Sequence, residues 1–272
     1  MKLILKLIMC ILVVCACHEN SLAEIKEEKD FKDIKTEIKV LSYNIHHSNP
    51  PSQPDIINLE AIAEVLKQSE ADVVGLQEVD VYTERSGEQL HMARAIAEMA
   101  GFKYWYFSKS IDFQGGAYGT AILSKFPISD TITYTLPNPE NAEPRSLSVA
   151  TLHLKDSVKL RFGNTHLDYT NETNNLAQVK AIRNYLSQND TPTILTGDFN
   201  MVPSTASMEF MLEEFKSTCK NKCGFTSPSD APSKTIDYIL YAGKGVRSIN
   251  HQVLLEQFPS DHLPVLATIL FE

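Results

Sequence analysis

The feature that most constrains this chain is a recurrence: apolar runs of strand character that stop abruptly at a short polar group able to bind a metal or move a proton. Val40-Leu41-Ser42-Tyr43 runs into Asn44, and Val73-Val74-Gly75-Leu76-Gln77 runs into Glu78. Leu160–Thr165 reaches His166 and Asp168, and Thr193–Gly197 reaches Asp198 and Asn200. Later, Asp237 interrupts the run Ile236–Leu240, and Asp261-His262 stands directly before a last apolar run. Taken singly, each has a plain explanation as a turn, an N-cap or a surface histidine. Jointly, buried strands that deliver these groups to one edge would fill a cleft with carboxylates, amides and two imidazoles. So dense an acidic cluster repels itself unless a divalent cation sits within it.

The rest of the text frames that cleft. Periodic apolar positions predict three amphipathic helices, on Ile56, Leu59, Ile62, Leu66, on Leu90, Ala93, Ala97, Ala100, and on Leu176, Val179, Ile182, Leu186. Another helix is expected to start at Met201-Val202-Pro203. Strands are expected at 38–43, 73–77, 104–107, 119–124, 131–136, 147–154, 159–164, 193–195, 236–241, 246–254 and 265–271. Early strands alternate with helices and middle ones follow short turns. This predicts an α/β protein with a mixed sheet or a pair of sheets and helices outside. No repeat or low-complexity break divides residues 37–272, so one domain is expected there.

Six short motifs in this order carry a resemblance: Leu41-Ser42-Tyr43-Asn44, Leu76-Gln77-Glu78-Val79-Asp80, Asn164-Thr165-His166-Leu167-Asp168, Gly197-Asp198-Phe199-Asn200, Ile236-Asp237-Tyr238 and Ser260-Asp261-His262. The chain resembles the endonuclease/exonuclease/phosphatase superfamily of deoxyribonuclease I-like phosphoesterases, bacterial secreted or lipoprotein members in particular. The resemblance implies a four-layer α/β sandwich, two mixed β-sheets packed face to face with helices outside, and phosphoester hydrolysis with Mg2+ or Mn2+. Carried over, Glu78 is the principal metal ligand, with Asn44 and Asp261 near the same ion. Asp237 orients and charges His262, His166 donates to a phosphate oxygen or the leaving group, and Asp198 and Asn200 align the attacking water. Which of His262 and Asp198 takes the proton stays open. Arg145, Tyr118 and Asp168 are candidate substrate contacts, although Arg145 reads equally as an exposed strand-edge residue and Tyr118 as a turn residue. Lys234-Thr235 stands before Ile236 where relatives place Arg.

The residue types suit that chemistry independently. A phosphodiester is an anion attacked by an anion, so a hard cation must first neutralise it. Donors such as Asn200, His166 and His262 then meet the developing charge. His46-His47 is read as a loop at the cleft mouth, not as a ligand pair. A zinc protease is excluded by the lack of His-Glu-x-x-His, and Gly115–Gly119 lacks the spacing of a dinucleotide loop. The run Tyr104–Phe107 is read as a strand with one face in the core, not as a membrane patch.

Residues 1–16 read as a signal peptide, too short in its apolar part to span a bilayer. Val14-Cys15-Ala16-Cys17 resembles a lipobox, which would make Cys17 the lipidated first residue, followed by a polar tether over 17–36. This reading is favoured over cleavage after Ala23 and makes the protein a membrane-anchored lipoprotein, or a periplasmic or extracellular one if Ala23 is the site. Loss of Lys2 and Lys6 takes the formal charge from −9 to −11. A broad basic surface for nucleic acid is thereby disfavoured, though a nuclease with a bridging cation is not. Cys219 and Cys223, in an oxidising compartment, suggest a local disulfide. No obligate protein partner is evident and a monomer is expected. The leading expectation is a phosphodiesterase acting outside the cytoplasm on nucleic acid, phospholipid or sugar-phosphate. The competing one is a non-catalytic surface lipoprotein that uses the scaffold to bind.

Overall fold

Alternation along the strands sorts the core into three apolar layers, and the elements follow from it. The structure, a computed structural model, describes residues 36–155, 158–187, 191–221 and 223–272; the signal, lipidation and tether readings lie outside them. In chain order the first half is β1 (Thr36–Asn44), α1 (Leu59–Ser69), β2 (Val73–Val81), α2 (Met92–Ala100), β3 (Tyr104–Phe113), β4 (Gly116–Ser124), β5 (Ile128–Thr135) and β6 (Ser146–His153). The second half is β7 (Lys159–His166), α3 (Glu172–Leu186), β8 (Thr193–Asp198), α4 (Ala206–Leu212), β9 (Lys216–Ser217), β10 (Asp237–Ala242), β11 (Val246–Val253) and β12 (Val265–Phe271). Two six-stranded mixed sheets result, ordered β11-β12-β1-β2-β4-β3 and β5-β6-β7-β8-β10-β9. β1 pairs parallel with β2, and β7 parallel with β8.

Leu41 and Tyr43 of β1 and Val74 and Leu76 of β2 pack with Ile62 and Leu66 of α1 and Ile96 of α2, so these helices cover the first sheet. Leu147, Leu195 and Leu240 pack with Val179 and Ile182 of α3 and Met208 and Met211 of α4, which cover the second. Between the sheets lie Val40, Val73, Ile122, Phe162, Ile194 and Ile239. Each large aliphatic so buried contributes about 1.5–3 kcal/mol. The protein is thus the four-layer α/β sandwich the motifs implied.

The inter-sheet layer turns polar along its length. Residues alternate in facing direction, so β1 presents Val40, then Ser42, then Asn44; β7 presents Phe162, then Asn164, then His166; β8 presents Ile194, then Thr196, then Asp198. Asn164 knits the change: its Nδ2 donates to the carbonyls of Leu76 (2.8 Å) and Ala121 (2.9 Å), while its Oδ1 accepts from Gln77 Nε2 (2.6 Å) and Thr196 Oγ1 (3.1 Å). Gly75 faces this cluster, and a Cβ there would overlap Thr196 Oγ1 and Asn164 Oδ1.

Two expectations are corrected locally. The helix anticipated at Met201–Pro203 begins at Ala206, because Val202 closes a turn onto Thr205 (3.1 Å) and Thr205 caps Met208 N (3.3 Å). β9, only two residues long, carries no periodicity and was not expected; it pairs with Leu240 and Tyr241 at the sheet edge. Cys219 and Cys223, just beyond β9, form the disulfide, with Cα atoms 5.5 Å apart.

Candidate active site

The polar ends of β1, β2, β7, β8 and β10 meet at one edge of the sandwich. β8 is the hinge of this meeting, since Asp198 is paired in register with both His166 of β7 and Asp237 of β10. Asp198 Oδ2 accepts from Asn44 Nδ2 at 3.0 Å and lies 3.5 Å from His166 Nε2 and 3.7 Å from His262 Nε2. Its Oδ1 accepts from the Asn200 backbone N–H at 3.0 Å. Asn200 adopts φ 51°, and its side-chain amide donates to the Leu167 carbonyl at 3.0 Å, which fixes the turn after β8. Asp237 Oδ2 accepts from His262 Nδ1 at 2.9 Å, and its Oδ1 is buried without a partner.

Glu78 reaches this edge through a defect in β2. The ladder with β4 shifts between Leu76 and Val79, and Glu78 takes φ 59°. Regular alternation would send Gln77 and Glu78 to opposite faces. The bulge instead lets Gln77 stay in the inter-sheet layer while Glu78 Oε1 accepts from Asn44 Nδ2 at 3.1 Å. Asn44 therefore ties Glu78 to Asp198 across the two sheets.

The loop before β12 is sewn to β1. Ser260 Oγ donates to the Asn44 carbonyl at 2.7 Å and accepts from His262 N at 3.2 Å, which places the His262 ring. Asp261 flanks this loop, its Oδ1 3.4 Å from Ser260 Oγ and its carbonyl accepting from Ser229 N at 2.7 Å. Among the described residues Asp261 belongs to neither ring of close-set metal donors; those are His46, His47 and Glu78, and Asp198, Asp237 and His262.

Charge and burial separate the two imidazoles. Burial alone would depress His262, but the Asp237 carboxylate and then Asp198 outweigh it and raise the imidazole to about 10. His166, buried and next to the Arg145 guanidinium, is lowered to about 3. One ring is thus cationic and one neutral at pH 7. Burial raises Asp198, and Asp237 raises it further. Burial works against ionised Glu78 as well, yet nearby His47 and His166 and the Asn44 amide hold it well below the usual carboxylate range.

Arg145 is only 5% exposed, which discards the strand-edge alternative. One guanidinium nitrogen lies 3.2 Å from Glu143, and Nε is buried without a partner. Tyr118 pairs in register with Asp80 and sits under the Arg85 guanidinium, which Asp80 clamps at 2.7 and 2.9 Å. Asp168 is differently employed. Its carboxylate accepts from Thr170 N (2.6 Å), Thr170 Oγ1 (2.7 Å), Asn171 N (3.0 Å) and Asn174 Nδ2 (3.0 Å). Those bonds commit its carboxylate to the turn entering α3, where it forms part of the wall of the groove beside Asn200. Two residues outside the expected set belong to the site: Ser260, and His47, whose Nδ1 lies 3.9 Å from Glu78 Oε2. His47 was visible in the sequence beside Asn44, but nothing local told its orientation.

A divalent cation fits these residues. The donor set is carboxylate, amide and imidazole, and Asp237 Oδ1 and His47 Nδ1 are buried without partners.

The chain belongs to the Endonuclease/Exonuclease/phosphatase family, which it matches over residues 41–262. Family members are hydrolases acting on phosphoester bonds. No curated protein matches the sequence. Among solved structures it is similar to an endonuclease/exonuclease/phosphatase family protein from Bacteroides thetaiotaomicron, at 19% identity and TM-score 0.75 over 88% of this chain and 96% of the other. It is also similar to one from Beutenbergia cavernae, at 20% identity and TM-score 0.74 over 86% and 72%. A mannosyl-6-phosphatase from Bacteroides thetaiotaomicron superposes at 18% identity and TM-score 0.72 over 86% and 100%. At these identities the likeness speaks for the fold alone.

Proposed function

We propose that the protein is a Mg2+- or Mn2+-dependent phosphodiesterase acting outside the cytoplasm. The observation that carries this reading is the convergence on Asp198 of Asn44, His166 and His262 from three separate elements, with Glu78 linked through Asn44. Glu78 would hold the cation, with Asn44 beside it. Bound there, the ion would neutralise the phosphate and polarise its oxygens. His262, kept cationic by Asp237, donates from Nε2 to a non-bridging oxygen. Asp198, set between the two imidazoles, orients the attacking water and accepts its proton. Neutral His166 offers an Nε2–H hydrogen bond toward the leaving oxygen, to which the proton taken by Asp198 passes as the P–O bond breaks. Arg145 offers its unpartnered Nε to the phosphate.

Beside Asn200 a groove of about 640 Å³ is lined by Tyr169, Asn171, Asn175, Ser204, Thr205 and Lys234 among others. Amides, hydroxyls and one aromatic ring are joined there by the Asp168 and Glu172 carboxylates, a single lysine and the apolar Leu176, Met201, Val202 and Ile236, a lining that suits a neutral polyol next to the phosphate better than a polyanionic polynucleotide backbone. Among nucleic acid, phospholipid and sugar-phosphate, the groove speaks against the first and suits a polyol carried by either of the others. Attachment to a membrane through Cys17 would place the enzyme where such substrates are extracellular. Hydrolysis of bis-p-nitrophenyl phosphate with added Mg2+ or Mn2+ tests the reaction. Turnover abolished by EDTA and by Glu78→Ala is expected, and turnover that survives both overturns the site assignment.

A further inference from the structure

The turn after Asn44 is built to present imidazoles to Glu78. His46, His47 and Ser48 take φ of 45°, 41° and 59°, three consecutive left-handed residues that are unfavourable for side-chain-bearing amino acids. The turn is nonetheless pinned: Ser48 N donates to the Ile45 carbonyl (2.7 Å), Asn49 N to the His46 carbonyl (2.8 Å), and His46 N to Asn44 Oδ1 (3.1 Å). Asn49 Nδ2 lies 3.1, 2.9 and 2.8 Å from the carbonyls of Gln53, Pro54 and Ile56, which holds the following loop against the turn.

The two rings are prepared differently from surface histidines. His46 Nδ1 is 2.8 Å from the Asn49 carbonyl, which can only accept, so Nδ1 carries the proton and Nε2 keeps its lone pair. A ring nitrogen donating to a backbone carbonyl while the other points away is the arrangement that orients metal-ligating histidines. The His47 side chain is 14% exposed, and its Nδ1 is buried with no partner, 3.9 Å from Glu78 Oε2 and so beyond hydrogen-bond reach. One ligand atom from each of His46, His47 and Glu78 lies within 4.8 Å of the others. Three ligands sharing one ion at ~2.1 Å stand about 3.0–3.6 Å apart, so rotation of the two rings and of the Glu78 carboxylate by up to about an ångström would close the ring.

We propose that the Glu78 cation is shared with His46 and His47, making a mixed nitrogen and oxygen site that selects a transition-metal dication over magnesium. This rests on the reading of Glu78 as the ligand of the catalytic ion and narrows the choice of that ion, setting Mg2+ behind Mn2+ and both behind the later dications. Imidazole suits Mn2+ poorly and Zn2+, Co2+ or Ni2+ well, whereas Mg2+ demands oxygen. The consequence is an affinity order of Zn2+ and Co2+ above Mn2+, and Mn2+ above Mg2+.

The test uses metal-free protein and the metals alone. Co2+ titrated into the wild-type chain should give visible ligand-field absorption of a low-coordinate site with nitrogen donors. Calorimetry should show Zn2+ and Co2+ binding at least tenfold more tightly than Mg2+. Substituting His47→Gln should lower Zn2+ and Co2+ affinity by about 10–100-fold and leave Mg2+ affinity within about twofold. Equal losses for all three ions overturn the proposal, and so does a purely octahedral oxygen-type Co2+ spectrum in the wild type, which needs no variant to fold. Glu78→Gln separates the two readings: if it abolishes Mg2+ binding while His47→Gln changes no affinity, the Glu78 site stands and the imidazole ligands fall. If Glu78→Gln leaves all binding intact, the cation lies elsewhere and both fall.

Discussion

Asp237 holds Nδ1 of His262 at 2.9 Å, which leaves Nε2 as the nitrogen turned toward Asp198, 3.7 Å away. The first contact fixes the tautomer and the charge, and the second places that charge at the centre of the cleft. Because the pairing raises the folded-state value of His262 to about 10 from an unfolded ~6.5, the stability it contributes is full below pH 6.5 and is lost as pH rises through about 10.

Replacing Asp237 by Asn removes the anion that sustains the imidazolium while keeping the shape. His262 should then titrate well below about 10, since burial is opposed only by Asp198 and Asp261 once that carboxylate is gone. Imidazole NMR in the metal-free protein measures the fall directly. Phosphodiester turnover at neutral pH should drop by roughly 10²-fold or more. An unchanged His262 titration would exclude the pairing as its cause.

Arg145 is buried with an unpartnered Nε and lies close enough to His166 to depress it. Arg145→Lys keeps the charge but not the fork, so kcat/KM should still fall by about tenfold or more, and Arg145→Met further. His166 should titrate higher in the Met variant, because a neighbouring cation is gone. Kinetics of the two variants and NMR of His166 check both halves.

Gly75 stands in the inter-sheet layer where a methyl group would overlap Thr196 Oγ1 and Asn164 Oδ1. Gly75→Ala should cost about 1–3 kcal/mol by forcing the sheets or the Asn164 network apart. Denaturant unfolding measures it. A neutral result would mean that the polar layer can yield.

Asp168 is buried, which would raise it, but the Thr170 hydroxyl, the Asn174 amide and two backbone N–H groups hold it below its ordinary value. Its stabilisation is therefore present above the unfolded value of ~3.9 and disappears as pH falls through the lower folded value. Asp168→Asn should destabilise by about 1–3 kcal/mol at pH 7, because its amide N–H groups would face other donors. Thermal unfolding against pH should show the two proteins converging in acid.

The sequence by itself determined the strands and helices, an α/β protein with one or two sheets; that two sheets pack face to face as a sandwich was implied by the resemblance of its motifs and not by periodicity. Strand and helix periodicity lie in local alternation, and α1, α2, α3 and eleven of the strands fall on the patterns that announce them. It also put Asn44, Glu78, His166 and Asp198 at the ends of apolar runs, Asp237 within one and His262 just before the last, because the end of a buried strand is where a polar group can be reached from outside. Short elements without a period were illegible: β9 needs its partner β10 to exist at all, and α4 starts where Thr205 can cap it, not at Met201.

Only the tertiary structure decided how the gathered residues divide the work. Whether Glu78 faces the cleft depends on a bulge against β4, and whether Arg145 is buried depends on what covers β6. That Asp168 is bound up in its own turn while Asp198 sits between two imidazoles cannot be told from two Asp residues that both follow strands. Nor can His47 be told from a surface histidine until the left-handed turn sets it against Glu78. Composition and spacing fix which side of a strand a residue takes, but burial, register and the fields of distant charges arise only when the two sheets close on each other.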